Sequence, residues 1–438
     1  MPARRLVVVG GGLAGSEAAW QAARRGVPVE LWEGRPEVWT PAHSTLYLGE
    51  LVCSNSLGAD VPGTPAGLLK EELRRLGSLV MTVADEHRVA AGRALAVDRL
   101  AFARAITARL ATHPLVCLRR GEVDHLPERP AVIATGPLTS ANMVQALQAE
   151  LGAACLHFYD AAAPIVTGES VDEERSFWGS RYDRNGRDYL NCPLSKEEYE
   201  TFWEALASAE TVPLDEVDRP VFFEGCLPIE ELARRGRDTL RFGPLKPVGL
   251  SDPRTGRRPY AVVQLRREDH RGRLFNLVGF QTRLRWGEQA RVFRLIPALA
   301  RAEFVRYGVM HRNTYLEAPS VLTPTLEVAR CPELFLAGQL IGVEGYLESA
   351  AAGLVAGINA ARTLRGEEPV SFPEETMIGG LLTYITRPHP DVQPMNANFG
   401  LLPPLDEQVK DQAVRRRRYK ERAERAMTKF LSCLSVEN

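Results

Sequence analysis

The sequence predicts an α/β fold, a Rossmann-like dinucleotide-binding domain interrupted by an inserted α+β domain. Three observations predict it. The chain opens on a complete β-α-β unit, it returns to strand-into-glycine junctions at 131–136 and 334–338, and between these, from about 161 to 323, that rhythm is absent. In the first unit the β-branched run Arg4 to Val9 ends in Gly10-Gly11-Gly12-Leu13-Ala14-Gly15, and Ser16 to Arg25 reads as a helix stopped by Gly26. A second strand, Val29 to Trp32, ends in Glu33, eighteen residues after Gly15. Gly10 suits a tight turn, Gly12 lets a pyrophosphate approach the backbone, and Gly15 lets helix and strand pack closely. The helix N-terminus, entered through Leu13 and Ala14, offers unpaired N–H groups to the phosphates, and a carboxylate at Glu33 can hold both hydroxyls of an adenosine ribose. Taken alone, such glycines are also those of an ordinary βα turn. Strand, helix, second strand and acid at these spacings carry the nucleotide reading.

After Glu33 the chain becomes loop-like and reaches Leu51-Val52-Cys53-Ser54-Asn55-Ser56-Leu57-Gly58, a small, polar, thiol-bearing stretch beyond the C-terminal end of the second strand, where open α/β sheets hold ligands. Leu68 to Leu76 reads as helix stopped by Gly77, and Leu95 to Thr112 as another with Asp98 near its start. Ala131-Val132-Ile133-Ala134-Thr135-Gly136 is a buried strand entering a glycine turn, similar to the second marker of two-dinucleotide flavoproteins, the glutathione-reductase-like class. Residues 161–323 are richer in aromatic and polar residues and in broken strands, so the domains are expected at 1–160, 161–323 and 324–438, the first and last forming one nucleotide-binding unit. The returning segment carries Gly338, Gln339, Gly342 and Gly345, then a helix from about Leu347 to Leu364 with a small-residue face at Ala350, Gly353 and Gly357. That face suits close packing against backbone or cofactor. No second Gly-x-Gly-x-x-Gly unit follows, so the nucleotide is expected to be a resident FAD, and a nicotinamide donor must visit an open face of the flavin. Val414 to Phe430 reads as a basic helix including Arg415 and Arg416, either a solvated face or a contact for an RNA backbone.

Composition narrows the class. With 438 residues, 45% hydrophobic and 25% charged, the chain suggests two or three globular domains, and its net charge of −1 restricts any nucleic-acid surface to a local patch. No signal peptide or membrane-length apolar run is visible. Seven scattered cysteines without a Cys-x-x-Cys pair argue against a disulfide framework or a metal site and for a reducing cytoplasm. Two thiols stand apart. Cys226 precedes Pro228, expected as the first residue of a helix to Arg235, whose dipole favours a thiolate while Glu224 and the first-turn acids oppose it. Cys53 has the loop setting. Cys117, Cys155, Cys331 and Cys433 read as inert buried residues, and Cys192, in Asn191-Cys192-Pro193, is less clear.

Longer segments go further. Phe223-Glu224-Gly225-Cys226-Leu227-Pro228-Ile229-Glu230, the stretches 240–250 and 276–282, and Phe304-Val305-Arg306-Tyr307-Gly308-Val309-Met310-His311-Arg312-Asn313 resemble the bacterial folate- and FAD-dependent tRNA (uracil-5-)-methyltransferases. Gly338-Gln339, Gly342-Val343-Glu344-Gly345-Tyr346 and 393–400 extend the resemblance over essentially the whole chain. Gly34 after the ribose acid and Leu245 are small departures. The resemblance implies methylation of uridine C5 at position 54 in the T arm of tRNA, with the carbon from 5,10-methylenetetrahydrofolate, electrons from NADPH or NADH, and FAD as carrier. It implies that Cys226 attacks uracil C6, that Cys53 is a flavin-proximal base or guard, with the two roles exchangeable, and that His311 beside Arg312 stacks on the pterin or is a hydrogen-bonded core histidine. The competing readings are a wobble-uridine-modifying flavoprotein, a flavin oxidoreductase with a Cys53–Cys226 disulfide, and a non-catalytic tRNA binder.

Overall fold

The computed structural model describes residues 4–152, 155–181, 186–213, 227–388, 393–407 and 409–436, with the backbone alone for 155–160, 311, 312, 435 and 436. A six-stranded sheet runs in the order Glu327–Val328, Cys331–Leu336, Ala131–Ile133, Leu6–Val9, Val29–Glu33, Val116–Arg120, parallel except for the edge hairpin of the first two. Register sets Leu6 beside Val29 and Val9 beside Trp32. Leu6, Val8, Ala131, Val132, Ile133, Phe335 and Leu336 are buried, as strands with helices on both faces require. One of those helices is Leu13–Arg24, and Tyr346–Leu364 packs along it. A Cβ at Gly353 would lie 2.1 Å from the Ala14 carbonyl oxygen and one at Gly357 2.4 Å from that of Ala18, so the small-residue face packs on the backbone of the first helix.

Between Gly77 and Thr112 two elements differ from the sequence reading. Ala94–Val97 is a strand, and the helix expected from Leu95 begins at Arg99, because the Asp98 carboxylate caps it by accepting from the N–H of Ala101. After Gly77 a further helix, Leu79–Glu86, starts at Ser78 and is tied to the first helix by Glu17, whose carboxylate accepts from the N–H groups of Leu79 and Val80. Such a cap, supplied from about sixty residues away, leaves no local signature.

A second six-stranded sheet is antiparallel, in the order Phe177–Gly179, Tyr189–Leu194, Ala261–Arg267, Leu274–Leu277, Ile165–Thr167, Phe304–Arg306. Its own core gathers Phe202, Phe280, Phe293 and Leu265. The chain reaches this sheet through Cys155–Ala161 and leaves through Met310–Leu316, which pair antiparallel with each other. The terminal helix spans Gln412–Val436, longer than the sequence reading, and buries Ala423 and Met427 in the core around the parallel sheet. Among the described residues no helix is long and apolar enough to cross a membrane, and no cluster of ligating side chains could hold a metal ion.

Candidate active site

The glycine turn is built by close approach. Gly10 adopts φ +105°, and a Cβ there would lie 2.4 Å from the Ala134 carbonyl oxygen. At Gly15 a Cβ would lie 1.8 Å from the Gly10 carbonyl oxygen, so only glycine lets the helix begin against the strand. Gly12 is different: a Cβ there meets nothing within 4 Å, because that side faces an open cleft. No side chain caps the helix at Gly12, so the first-turn N–H groups of Leu13, Ala14 and Gly15 remain available at its positive end.

The cleft is open to solvent along one side. Gly10, Gly11, Gly12 and Ala14 line one wall, Glu33 and Arg35 the end of the second strand, Gly136 the adjoining strand turn, and Gly338 and Gln339 the far side. Gly15 and Cys53 do not themselves line the cleft, although Val52 does, and Gly342, at φ +85°, stands beside Tyr315 and Ile385 instead. Glu33 is already engaged: Oε2 accepts from Gly11 N–H at 3.1 Å, and Oε1 accepts from the backbone N–H and Nε of Arg35 at 3.1 and 2.8 Å. Burial pushes this carboxyl up, but hydrogen bonds and charge from Arg35 outweigh it and hold Glu33 below the usual carboxylate range. Oε2 retains acceptor capacity toward the cleft. Arg35, 2% exposed, also donates to Glu50 at 2.7 Å and so fixes the acid from behind.

Cys53 is half-buried in a loop clamped from three directions. The N–H groups of Cys53 and Ser54 donate to the Tyr346 hydroxyl at 2.7 and 3.2 Å. Arg99 donates to the Leu51 carbonyl at 2.7 Å and makes a two-pronged pair with Glu268 at 2.9 and 3.0 Å. From the antiparallel sheet Arg266 donates to Asn55 Oδ1 at 2.8 Å and Ser54 Oγ at 2.7 Å. Arg306 lies close as well; burial and the charge of Arg99 lower its pKa, while Cys53 and Glu50 act the other way. The half-buried thiol thus lies in a loop held among guanidinium groups, Arg266 buried and Arg99 and Arg306 half-buried, with Arg99 paired to Glu268. Tyr346 heads the Tyr346–Leu364 helix and lines the cleft, and burial pushes its phenol well above its ordinary value, so it stays protonated while holding the loop.

Cys226 lies outside the described residues, but both flanks of its segment are anchored. Val212 N–H donates to the Arg283 carbonyl at 2.8 Å, and Ile229 N–H donates to that of Gln281 at 2.7 Å. The helix after it is Ile229–Arg234, shorter than expected, with Pro228 as its cap rather than its first residue. His311 and Arg312 sit on the strand Met310–Leu316, their backbones opposite Asp160 and Tyr159. Arg415 and Arg416 are exposed on the terminal helix, and neither joins an ion pair among the described residues. Of the other thiols, Cys192 is buried and pushed up to about 12, and Cys331 is raised by burial and bonds to Glu150. Cys117 and Cys433 are exposed, which corrects the expectation that they are buried: each falls on an outer face of its strand or helix. Arg35, Arg99, Arg266 and Tyr346 escaped the sequence reading. Arg35, two places after Glu33, carried a local signal; the others meet only through the fold.

The family model for glucose inhibited division protein A matches residues 5–368. A methylenetetrahydrofolate–tRNA-(uracil-5-)-methyltransferase TrmFO of Moorella thermoacetica is 63% identical over 415 residues, covering 94% of this chain and 95% of that one. The TrmFO of Heliobacterium modesticaldum is 56% identical over 429 residues, 98% of each chain. Among solved structures, Aquifex aeolicus GidA in its form II crystal aligns with a TM-score of 0.68 at 17% identity over 97% of this chain and 73% of that one, a likeness of fold. The chain belongs to the TrmFO family of methylenetetrahydrofolate–tRNA-(uracil-5-)-methyltransferases.

Proposed function

We propose that this chain methylates uridine C5 in tRNA, at position 54 of the T loop, taking the carbon from 5,10-methylenetetrahydrofolate and electrons from NADPH or NADH with FAD as its resident cofactor. The observation that carries the reading is the coupling of an uncapped dinucleotide cleft to a clamped thiol loop through one side chain, Tyr346. The residues fit FAD: Gly12 and Gly136 leave space where phosphates need it, Gly10, Gly11, Ala14 and Gly15 build the turn, and Glu33 keeps an acceptor for the ribose. Gly338, Gln339 and Gly342 belong to the opposite wall and its support. Bound FAD supplies the one-carbon carrier and hydride chemistry.

Uracil C5 becomes a nucleophile only when a group adds at C6, and Cys226 is the thiolate assigned to that addition. C5 so activated would bond to the one-carbon unit, the C5 proton would leave to a base, with Cys53 assigned as base or as guard of the flavin, and hydride addition to the new exocyclic carbon with expulsion of the Cys226 sulfur from C6 would leave the methyl group and restore the ring. Its clamp keeps Cys53 from swinging away during turnover. His311 and Arg312 are assigned to the folate, and Arg415 and Arg416 to tRNA phosphates. In this reading 1–160 and 324–438 form the nucleotide-binding unit and 161–323 the inserted domain, in a cytoplasmic enzyme.

Unmodified tRNA incubated with the yellow protein, methylenetetrahydrofolate and NADPH is expected to gain 5-methyluridine in its T loop, measured by nucleoside mass analysis. Product formed with S-adenosylmethionine alone would remove the proposal. Reversing Arg415 and Arg416 to Glu is expected to weaken tRNA binding about tenfold at low salt and to flatten its salt dependence by about two phosphate contacts, with FAD content unchanged. An unchanged salt slope returns those residues to a solvated helix face.

A further inference from the structure

An aromatic ladder runs from the core of the antiparallel sheet to open solvent. Phe280 meets Phe293 edge-on at 5.2 Å, Phe293 meets Phe304 at 6.4 Å, Phe304 stacks on Tyr307 at 5.2 Å and 15°, and Tyr307 stacks on Trp286 at 5.8 Å and 13°. Phe280 and Phe293 are buried, whereas Trp286 is 63% exposed. A large apolar ring held flat by a column of rings beneath it, with its outer face in water, sacrifices hydrophobic burial unless something covers it.

The position says what covers it. Trp286 directly follows the loop stretch 281–285, to which both flanks of the Cys226 segment are bonded, through Val212 on Arg283 and Ile229 on Gln281. On its other side Tyr307 is preceded by Arg306, which reaches the surroundings of Cys53 and Glu50. The outer ring therefore stands next in the chain to the residues that anchor both flanks of the Cys226 segment, and Arg285, mostly exposed and paired with Glu210, precedes it.

We infer that the Trp286–Tyr307 pair is a stacking shelf for a nucleobase of the substrate RNA, one next to the target uridine in the loop, so that the RNA is registered by stacking as well as by charge. This rests on tRNA being the substrate. A target base drawn out of a folded loop leaves a neighbour unstacked, and a flat aromatic surface replaces the lost contact whatever that base is. Tyr307, fixed between Phe304 and Trp286, sets the tilt of the shelf.

The test uses the full-length, flavin-loaded protein and a T-arm stem-loop RNA. Trp286→Ala is expected to raise the KM for that RNA about 10- to 100-fold, the span for stacking of one base, with kcat changed far less, and Trp286→Phe to recover most of the loss. With unaltered protein, 2-aminopurine placed beside the target uridine is expected to lose fluorescence on binding. An unchanged KM in Trp286→Ala, or no quenching at either neighbouring position, overturns the shelf, as does a change in oligomeric state with RNA binding intact, which would make the face a contact between copies. Methylation by wild type is measured in the same assay: quenching without product removes the proposed function alone, and product with an unchanged KM removes the shelf alone.

Discussion

A Cys226→Ala variant is expected to purify yellow, to be reduced by NADPH as wild type is, and to lose tRNA methylation by on the order of a thousandfold or more. The size follows from the substrate. Uracil C5 has no useful nucleophilicity until C6 is saturated, so removing the group that adds there removes the reaction instead of slowing one step. Flavin content should hold because the cleft is lined by the glycine turn, Glu33, Arg35, Gly136 and Gln339, and the flanks of the Cys226 segment are bonded elsewhere, on Gln281 and Arg283. Cys53→Ala gives the comparison. It leaves the backbone bonds to Tyr346 in place, so any lost activity reports on the sulfur and not on the loop. If Cys226→Ala retained wild-type methylation while Cys53→Ala had none, the two thiols would exchange their assigned roles. Single-turnover product analysis with each variant decides between them.

What the sequence made legible was whatever is written within one turn or one strand. Gly10, Gly12, Gly15 and Glu33 lie at spacings set by local geometry, and the structure finds the contacts that Gly10 and Gly15 relieve. Gly353 and Gly357 were visible for the same reason, as a helical face of small residues. The clamp on Cys53 was not legible, since it joins Leu51, Ser54 and Asn55 to Arg99, Arg266 and Tyr346 across separations of up to 293 residues. A lone arginine in a strand such as Ala261–Arg267 looks like a solvated side chain until the fold buries it. The helix read from Leu95 failed in a complementary way: Leu95, Ala96 and Val97 suit either periodicity, and pairing with Ser56–Ala59 and Arg88–Val89 decides for strand up to the Asp98 cap.

Two glycines three residues apart, Gly12 and Gly15, should respond differently to the same methyl group. Gly15→Ala is expected to destabilise the apoprotein by roughly 3 kcal/mol or more and to abolish FAD retention, because the new Cβ would meet the backbone oxygen of Gly10 at 1.8 Å and neither helix nor strand can yield. The helix is held on its far side by Gly353 and Gly357, whose own close approaches to Ala14 and Ala18 leave it no room to slide outward. Gly12→Ala adds the same atom where nothing of the protein lies within 4 Å, and its φ of −72° suits any residue. Its apoprotein should therefore melt as wild type does, while FAD affinity falls about 10- to 100-fold, since the methyl group occupies the path by which a pyrophosphate nears the helix N-terminus. Thermal melts of flavin-stripped protein, followed by FAD titration, separate the two effects. A Gly12→Ala protein that binds FAD as tightly as wild type would show that the phosphates do not approach along this turn, and the assignment of the cleft to a dinucleotide would fail with it.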